Sequence, residues 1–271
     1  MTVTARFNNT PGDKPVVTVI GDKKMFRTYI NNLRRMPGVA IELDGAVISN
    51  DGNFGYISAF EGWDFSGLDL SGTTIKNAVF FNAKAANTNF DNARLENVML
   101  AGIKAPGSTW RNVVFDTTDP AKAVRGGGCI EGAITVLSNA DFSGASFIGM
   151  NWTSTIFDGA KMPPVIRAAV RAHENGTTQI IETSFEGANL RNTNMVGIKI
   201  SGTSTSHADI SGADLRGAEF SDMKDMMDME FDHNTKLEGV RFINAIPPYP
   251  LVQLKEKQER GEPPAMPDFH I

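Results

Sequence analysis

The sequence predicts an all-β fold, a right-handed quadrilateral β-helix with a small α/β cap at its N-terminus and helical insertions. Three observations predict it: a large apolar residue at every fifth position, a smaller residue two places before each, and glycine or asparagine two places after. An α-helix repeats every ~3.6 residues and a strand every ~2, so neither sustains a period of five. A coil with four sides of five residues does, because one residue per side then points at the axis.

The cap comes first, in residues 1–57. Pro15 to Ile20 reads as a strand and Asp22 as a helix N-cap, with Met25, Phe26, Tyr29, Ile30 and Leu33 on one helical face. An open solenoid end exposes apolar core and unpaired strand edges, so something must cover it. Ile41 with Leu43, and Ala46 with Ile48, already have the spacing of inward pairs, so coiling is expected to begin before Phe60.

The shaft follows, in residues 58–245. Its first tract has centres at Phe60, Phe65, Leu70, Ile75, Phe80, Ala85, Phe90, Leu95, Leu100, Ala105, Trp110 and Phe115. The residues two places earlier, such as Thr73, Ala78, Ala83, Thr88 and Ala93, are mostly small, as a narrow interior requires. Two places later lie Gly62, Gly67, Gly72, Asn77, Asn82, Asn87, Asn92 and Asn97, residues that tolerate the positive φ of a tight corner. The pattern returns at Phe142, Phe147, Trp152, Phe157 and Met162, again from Phe185 to Phe220, and last at Leu237 and Phe242. With four repeats to a coil these tracts build about seven coils, a shaft roughly 30 to 35 Å long at ~4.8 Å per coil.

The jumps from Phe115 to Phe142, from Met162 to Phe185 and from Phe220 to Leu237 are not multiples of five. Segments 118–139, 165–182 and 222–234 are therefore read as insertions leaving the shaft, where solenoids often carry partner contacts. The first holds Arg125-Gly126-Gly127-Gly128-Cys129, which lacks the Gly-Lys-Ser/Thr of a phosphate loop and reads as a loop with a structural thiol. In the second, Pro163-Pro164 and the stripe Val165, Ile166, Ala169, Val170 read as a short helix against the shaft, with His173 complementing its dipole. The third alternates Asp222, Asp225, Asp228, Glu230 and Asp232 with Met223, Met226, Met227 and Met229 and lacks calcium-loop spacing. Its methionines either pack on the shaft, the favoured reading, or grip a partner. Residues 246–271, with Pro247-Pro248-Tyr249-Pro250 and a charged run, read as an extended tail whose Tyr249 and Leu251 either cap the last coil or bind another protein.

Ala213-Asp214-Leu215-Arg216-Gly217 and Ala188-Asn189-Leu190-Arg191-Asn192 carry a small residue, Asp or Asn, Leu, then two polar residues. In this the chain resembles the pentapeptide-repeat family. The resemblance implies a non-enzymatic solenoid, and it brings one sharp idea: some members, including quinolone-resistance proteins, imitate DNA with carboxylate-lined faces and bind type II topoisomerases. The tail differs from members that end in an apolar dimerisation helix, so a dimer through that end is not expected.

Composition narrows the function classes. Of 271 residues 41% are apolar and 21% charged, with net charge −5, which disfavours direct nucleic-acid binding and a polybasic membrane surface. Neither a signal peptide nor an apolar run of ~18 residues is read, so no membrane association is expected. One cysteine, Cys129, forms no internal disulfide, consistent with a cytoplasmic protein or one delivered to a host cell. His173, His207, His233 and His270 have no ligand spacing, so no metal, cofactor or catalytic residue is assigned.

Residues twenty apart stack on one side, so each side reads as a column. Asp64 falls with Lys84 and Lys104, Glu219 with Lys199, and Asp69 and Asp91 with Arg111, while Asp209, Asp214 and Glu219 fall on three sides. Mixed signs favour a rigid scaffold for a protein partner over a DNA-mimicking inhibitor or protector of DNA gyrase or topoisomerase IV, which needs stacked carboxylates. The candidate contact residues are Val79, Phe81 and Met99 on one apolar column, Asp225, Met226, Asp228 and Met229 in the third insertion, and Tyr249 and Leu251 in the tail. For the apolar column the favoured reading is a cover provided by the N-terminal helix or by the segment after Phe115, with partner contact the other.

Overall fold

The structure is a computed structural model that describes residues 2–7, 16–20, 22–44, 60–115, 134–172 and 178–262. Strands β1 (Thr2–Phe7), β2 (Val16–Val19) and β3 (Val39–Asp44) and helix α1 (Lys23–Arg34) form the N-terminal cap. The shaft carries β4 (Thr74–Val79), β5 (Arg94–Met99), β6 (Val114–Phe115), β7 (Ser146–Ile148) and β8 (Val165–Arg167). A hairpin of β9 (Ala169–Ala172) and β10 (Thr178–Ile181) leaves it, and β11 (Thr183–Ser184), β12 (Lys199–Ser201), β13 (Thr203–Ser204), β14 (Glu219–Ser221) and β15 (Arg241–Ile243) complete it before α2 (Tyr249–Glu259). The whole is a β-solenoid of about seven turns.

Repeats that keep the step of five behave as the spacing predicts. Phe65, Phe90, Leu95 and Phe157 are fully buried, and so are the small residues two places before, among them Ala83, Thr88 and Ala93. Asn77, Asn82, Asn87, Asn92, Asn97 and Asn112 turn the corners with φ between 50° and 58°. Coils are joined by backbone bonds: Phe65 N–H donates to Lys84 O at 2.7 Å and Gly67 N–H to Ala86 O at 2.8 Å. Rings stack along the axis, with Phe90 and Trp110 centroids 4.0 Å apart and 18° from parallel. In the C-terminal half the interior leaves a void of about 10 Å³ between Met162, Phe185, Leu215 and Phe220, too small for a ligand.

The first coil needs a substitute for the coil that does not precede it, and α1 supplies one. Asp22 caps the helix by accepting from Lys24 N at 2.7 Å, and Phe26, Ile30 and Leu33 are buried while Met25 is exposed. Phe26 packs edge-on to Trp63 and Phe65 at the shaft end. Arg27 Nη2 donates to Asp64 O at 3.3 Å and Ser66 O at 2.9 Å. Arg34 Nε donates to Asp69 O at 2.8 Å and its Nη2 to Ser71 O and Thr73 Oγ1. In later coils the equivalent carbonyls accept N–H groups of the preceding coil, so two guanidinium groups, two helical turns apart, replace those donors. On a third side β3 does so as a strand, pairing Leu43 with Ile75 in parallel. Ala46 and Ile48 lie outside the described residues.

Four expectations are corrected. The segment 118–139 ends too late: Thr135 and Leu137 are fully buried and Val136 bridges Lys104 and Ile156, so the shaft has resumed by then. Arg125 to Cys129 lie outside the described residues, as does His173. In 165–182 there is no helix. Val165–Arg167 pairs with β7 and β12, Ile166 is buried as a centre, and Ala169–Ala172 pairs antiparallel with Thr178–Ile181. The β-branched residues at Val165 and Ile166 suit the inner side of a strand better than a helix surface.

The segment 222–234 is shaft too. Ser201 faces Ser221, Ser204 faces Asp225 and Asp214 faces Lys236, so the step drifts by one residue and then another, hiding Met226 and Phe231 as centres. The tail is not extended through 249–259. Pro250 sits in the first turn of α2, where its missing N–H costs no helical bond, and Leu251 is buried. Gln258 Oε1 accepts from Leu237 N at 2.7 Å and its Nε2 donates to Thr235 O at 2.6 Å, so one side-chain amide imitates one backbone residue of the absent next coil.

Phe90→Asp and Leu215→Asp each put an unpaired carboxylate in this interior and are expected to abolish the cooperative transition in circular dichroism melts. Arg34→Ala should lower the urea midpoint by a loss of about 1 to 3 kcal/mol. Arg34→Lys should recover only part of it, since one ammonium cannot span both carbonyls.

Candidate interaction surface

The shaft sides are numbered in chain order from that of Phe80. Side one contains the centres Phe80, Leu100, Trp152 and Phe185, side two Phe65, Ala85, Leu137 and Phe157, side three Leu70, Phe90, Trp110 and Phe142, and side four Ile75, Leu95, Phe147 and Ile166. On side two the outward ladder runs unbroken through Asp64, Lys84, Lys104, Val136, Ile156, Asn189, Asp209 and Glu230. On side three it runs through Asp69, Asn89, Thr109, Asp141, Lys161, Asn194, Asp214 and Lys236. Phe115, the last described residue before 116–133, and the hairpin between Arg167 and Thr183 both lie at the end of side four.

Several carboxylates on these sides and on side four are held by cations. Asp91 is buried, which works against its charge, yet Arg111 donates to it from Nε at 2.8 Å and pairs through Nη2 at 2.6 Å, holding its carboxyl below the usual range. Asp214 accepts Arg216 Nε at 2.8 Å and Nη2 at 2.7 Å, with Lys236 Nζ at 3.4 Å, and these bonds from Arg216 hold its pKa down to about 2 against partial burial. Arg191 pairs with Asp209 at 3.1 Å and Arg241 with Glu219. Lys199 lies opposite Glu219 and Lys84 between Asp64 and Lys104, as the columns predict. Asp69 differs, accepting from Asn89 Nδ2 at 3.1 Å rather than from Arg111.

The candidate contact residues scatter. Val79, Phe81 and Met99 are half-buried on side one near the N-terminal end, with Ala101 fully buried beside them. α1 covers the shaft end through Arg27 and Arg34 rather than this column. Asp225 and Asp228 are outward on the last coil of side one, Asp228 fully at the surface beside exposed Met227. Met226 (2% exposed), Met229 (6%) and Leu251 (2%) are corrected: their side chains fill the interior and the C-terminal cap and face no partner. Tyr249 is exposed at the start of α2. The periodicity alone does not show the apolar run Ile134, Val136 and Ile156 on side two, because Leu137 falls within 118–139, where the step of five is lost; Ile156, directly before the centre Phe157, is legible.

Among the described residues no three histidine, cysteine or acidic side chains are grouped to hold a metal ion. A groove of about 280 Å³ lies between the last coil and α2, lined by Phe231, His233, Leu254, Lys257 and Gln258. Gln258 is committed to the backbone of the last coil and Asp232 to Gly212 N at 2.9 Å and Asn234 N at 3.0 Å. His207 Nδ1 stands 4.0 Å from Asp228 at the surface. No helix among the described residues is long and apolar enough to cross a membrane.

Because the folded pKa of Asp214 is depressed below an ordinary value of ~4, its contribution to stability is full above that value and is lost as pH falls towards about 2. Urea midpoints measured from pH 5 to pH 2 should therefore decline, and Arg216→Gln should flatten that decline.

The family comparison agrees with the repeat pattern. The family described as pentapeptide repeats (8 copies) matches residues 60–97, 135–163 and 183–222. No curated protein matches the chain by sequence. Among solved structures, a trypsin-treated form of QnrB1, a plasmid-mediated fluoroquinolone resistance protein, is 18% identical over 81% of this chain and 96% of that one, with a TM-score of 0.32. HetL, a pentapeptide repeat protein involved in heterocyst differentiation regulation from the cyanobacterium Nostoc sp. strain PCC 7120, is 13% identical over 67% of this chain and 85% of that one, with a TM-score of 0.31. A pentapeptide repeat protein from the Arabidopsis thaliana thylakoid lumen is 19% identical over 61% and 72%, with a TM-score of 0.18. With the period of five, the corner asparagines and the coil-to-coil ladder, the matched stretches are pentapeptide repeats of that family.

Proposed function

We propose that this chain is a non-enzymatic scaffold that presents rigid sides of its solenoid to a protein partner. The observation that supports it is the division of labour around the shaft. The described insertion and the approaches to the other gather at one edge, while sides two and three run unbroken from the first coil to the last. Such a surface is ordered before binding, so little conformational entropy is lost on contact.

The charge pattern favours this reading over DNA mimicry. A mimic requires carboxylates on successive coils of one side, whereas Asp91, Asp209, Asp214 and Glu219 each carry an arginine. A photo-crosslinking residue at Asn194, exposed in the C-terminal half of side three, is expected to capture one protein in the native cell, and Asn194→Arg is expected to weaken that capture at unchanged melting temperature. Salt-sensitive inhibition of gyrase supercoiling, with no adduct at Asn194, would transfer the case to the DNA-mimic reading.

A further inference from the structure

The ladder of side two is close to complementary to itself when reversed; that of side three is too, with Asp69 against Lys236 and Asp141 against Lys161, but of the two only side two has an apolar centre, at Val136 and Ile156. Counting from Ile156, the ladder reaches Lys104 two coils towards the N-terminal end and Lys84 at three; in the other direction it reaches Asp209 at two coils and Glu230 at three. Val136 and Asn189 stand one coil away on either side. Ile134 is 57% exposed beside this centre, and Val136, Ile156 and Pro106 are half-buried with their outer surfaces uncovered. We propose that a second copy of this chain docks on side two, antiparallel, with a two-fold axis crossing the shaft at Ile156.

That axis lies in the plane of contact, so it reverses the direction of the shaft and leaves each outward column facing its own copy. Lys84 then faces Glu230 of the other protomer, Lys104 faces Asp209, and Ile156 faces Ile156. Every opposed pair off the axis occurs twice, as an isologous contact requires. Asp158, beside Ile156 and bonded to Asn192 Nδ2 at 3.0 Å, also meets its own copy at the axis. Asp64, four coils from the axis, has no ladder residue opposite, because Glu230 belongs to the last coil before α2.

The register commits the contact to a second copy rather than to an unrelated protein, because an unrelated partner imposes no symmetry about Ile156. A side roughly 35 Å long and 10 Å wide falls below the ~800 Å² per partner of a stable interface. The dimer is therefore weak, in the micromolar range or above, and its charge pairs set register more than affinity. The proposal rests on the scaffold reading for side two alone; the crosslink at Asn194 on side three tests that reading separately.

Sedimentation equilibrium of the full chain tests it. Concentration-dependent dimerisation is expected, weakening as salt rises. Ile156→Asp places two extra carboxylates on the axis and is expected to leave monomer. Lys84→Glu and Glu230→Lys should each weaken the dimer by about tenfold, and the two changes combined should restore it to within about threefold. All three positions are outward, so melting curves should be unchanged, and Asn189→Asp serves as a second variant close to the axis, expected to weaken the dimer. A chain that stays monomeric at a few hundred micromolar, a dimer indifferent to Ile156→Asp, or a combined variant no better than its single parents overturns the proposal.

Discussion

Everything in this molecule depends on coils closing in register, so that backbone N–H groups at fixed positions of each repeat meet the neighbouring coil and each large side chain meets another. A period of five on a square coil gives every side the same inward residue and every corner the same positive φ. Stacking then lets Phe90 lie on Trp110 while Ala85 and Asn87 N–H groups donate to Lys104 O and Pro106 O. Burial and hydrogen bonding are satisfied by one geometry, which is why an interior of phenylalanine, leucine and small residues leaves so little empty space.

The same constraint explains the two ends. A repeat that binds its neighbours leaves its outermost members unsatisfied. Side chains supply the missing backbone: Arg27 and Arg34 act as donors below the first coil, and the amide of Gln258 acts as donor and acceptor above the last. The caps are thus electrostatic imitations of a coil, laid over the apolar contacts of Phe26 with Trp63 and of Leu251 with the last coils. They end the shaft without a further repeat.

The shaft was legible wherever the step stayed at five. Its centres, corner asparagines and several columns follow from the sequence because the geometry is nearly one-dimensional. It became illegible where the count slipped. The step from Phe147 to Ile166, one short of a coil, made a strand look like part of a helix, and the drift through Asp225 and Lys236 made a coil look like an insertion. Pairing with the coil below tolerates such slips, whereas a count along the chain does not. For the same reason Met226 and Met229 looked like surface and are core, and the apolar centre of side two was missed with Leu137. The role of Gln258 had no local signal, because it depends on α2 meeting a coil twenty residues earlier in the chain.

Amide hydrogen exchange resolved by residue tests the central claim most directly. If coils are joined as described, protection repeats with a period of five: Ala85 and Asn87, whose N–H groups donate to Lys104 O and Pro106 O, exchange slowly, and Ala86 between them exchanges fast. Slow exchange running through Ala85, Ala86 and Asn87 alike, or a helical rhythm of protection along residues 60–115, would contradict the square coil.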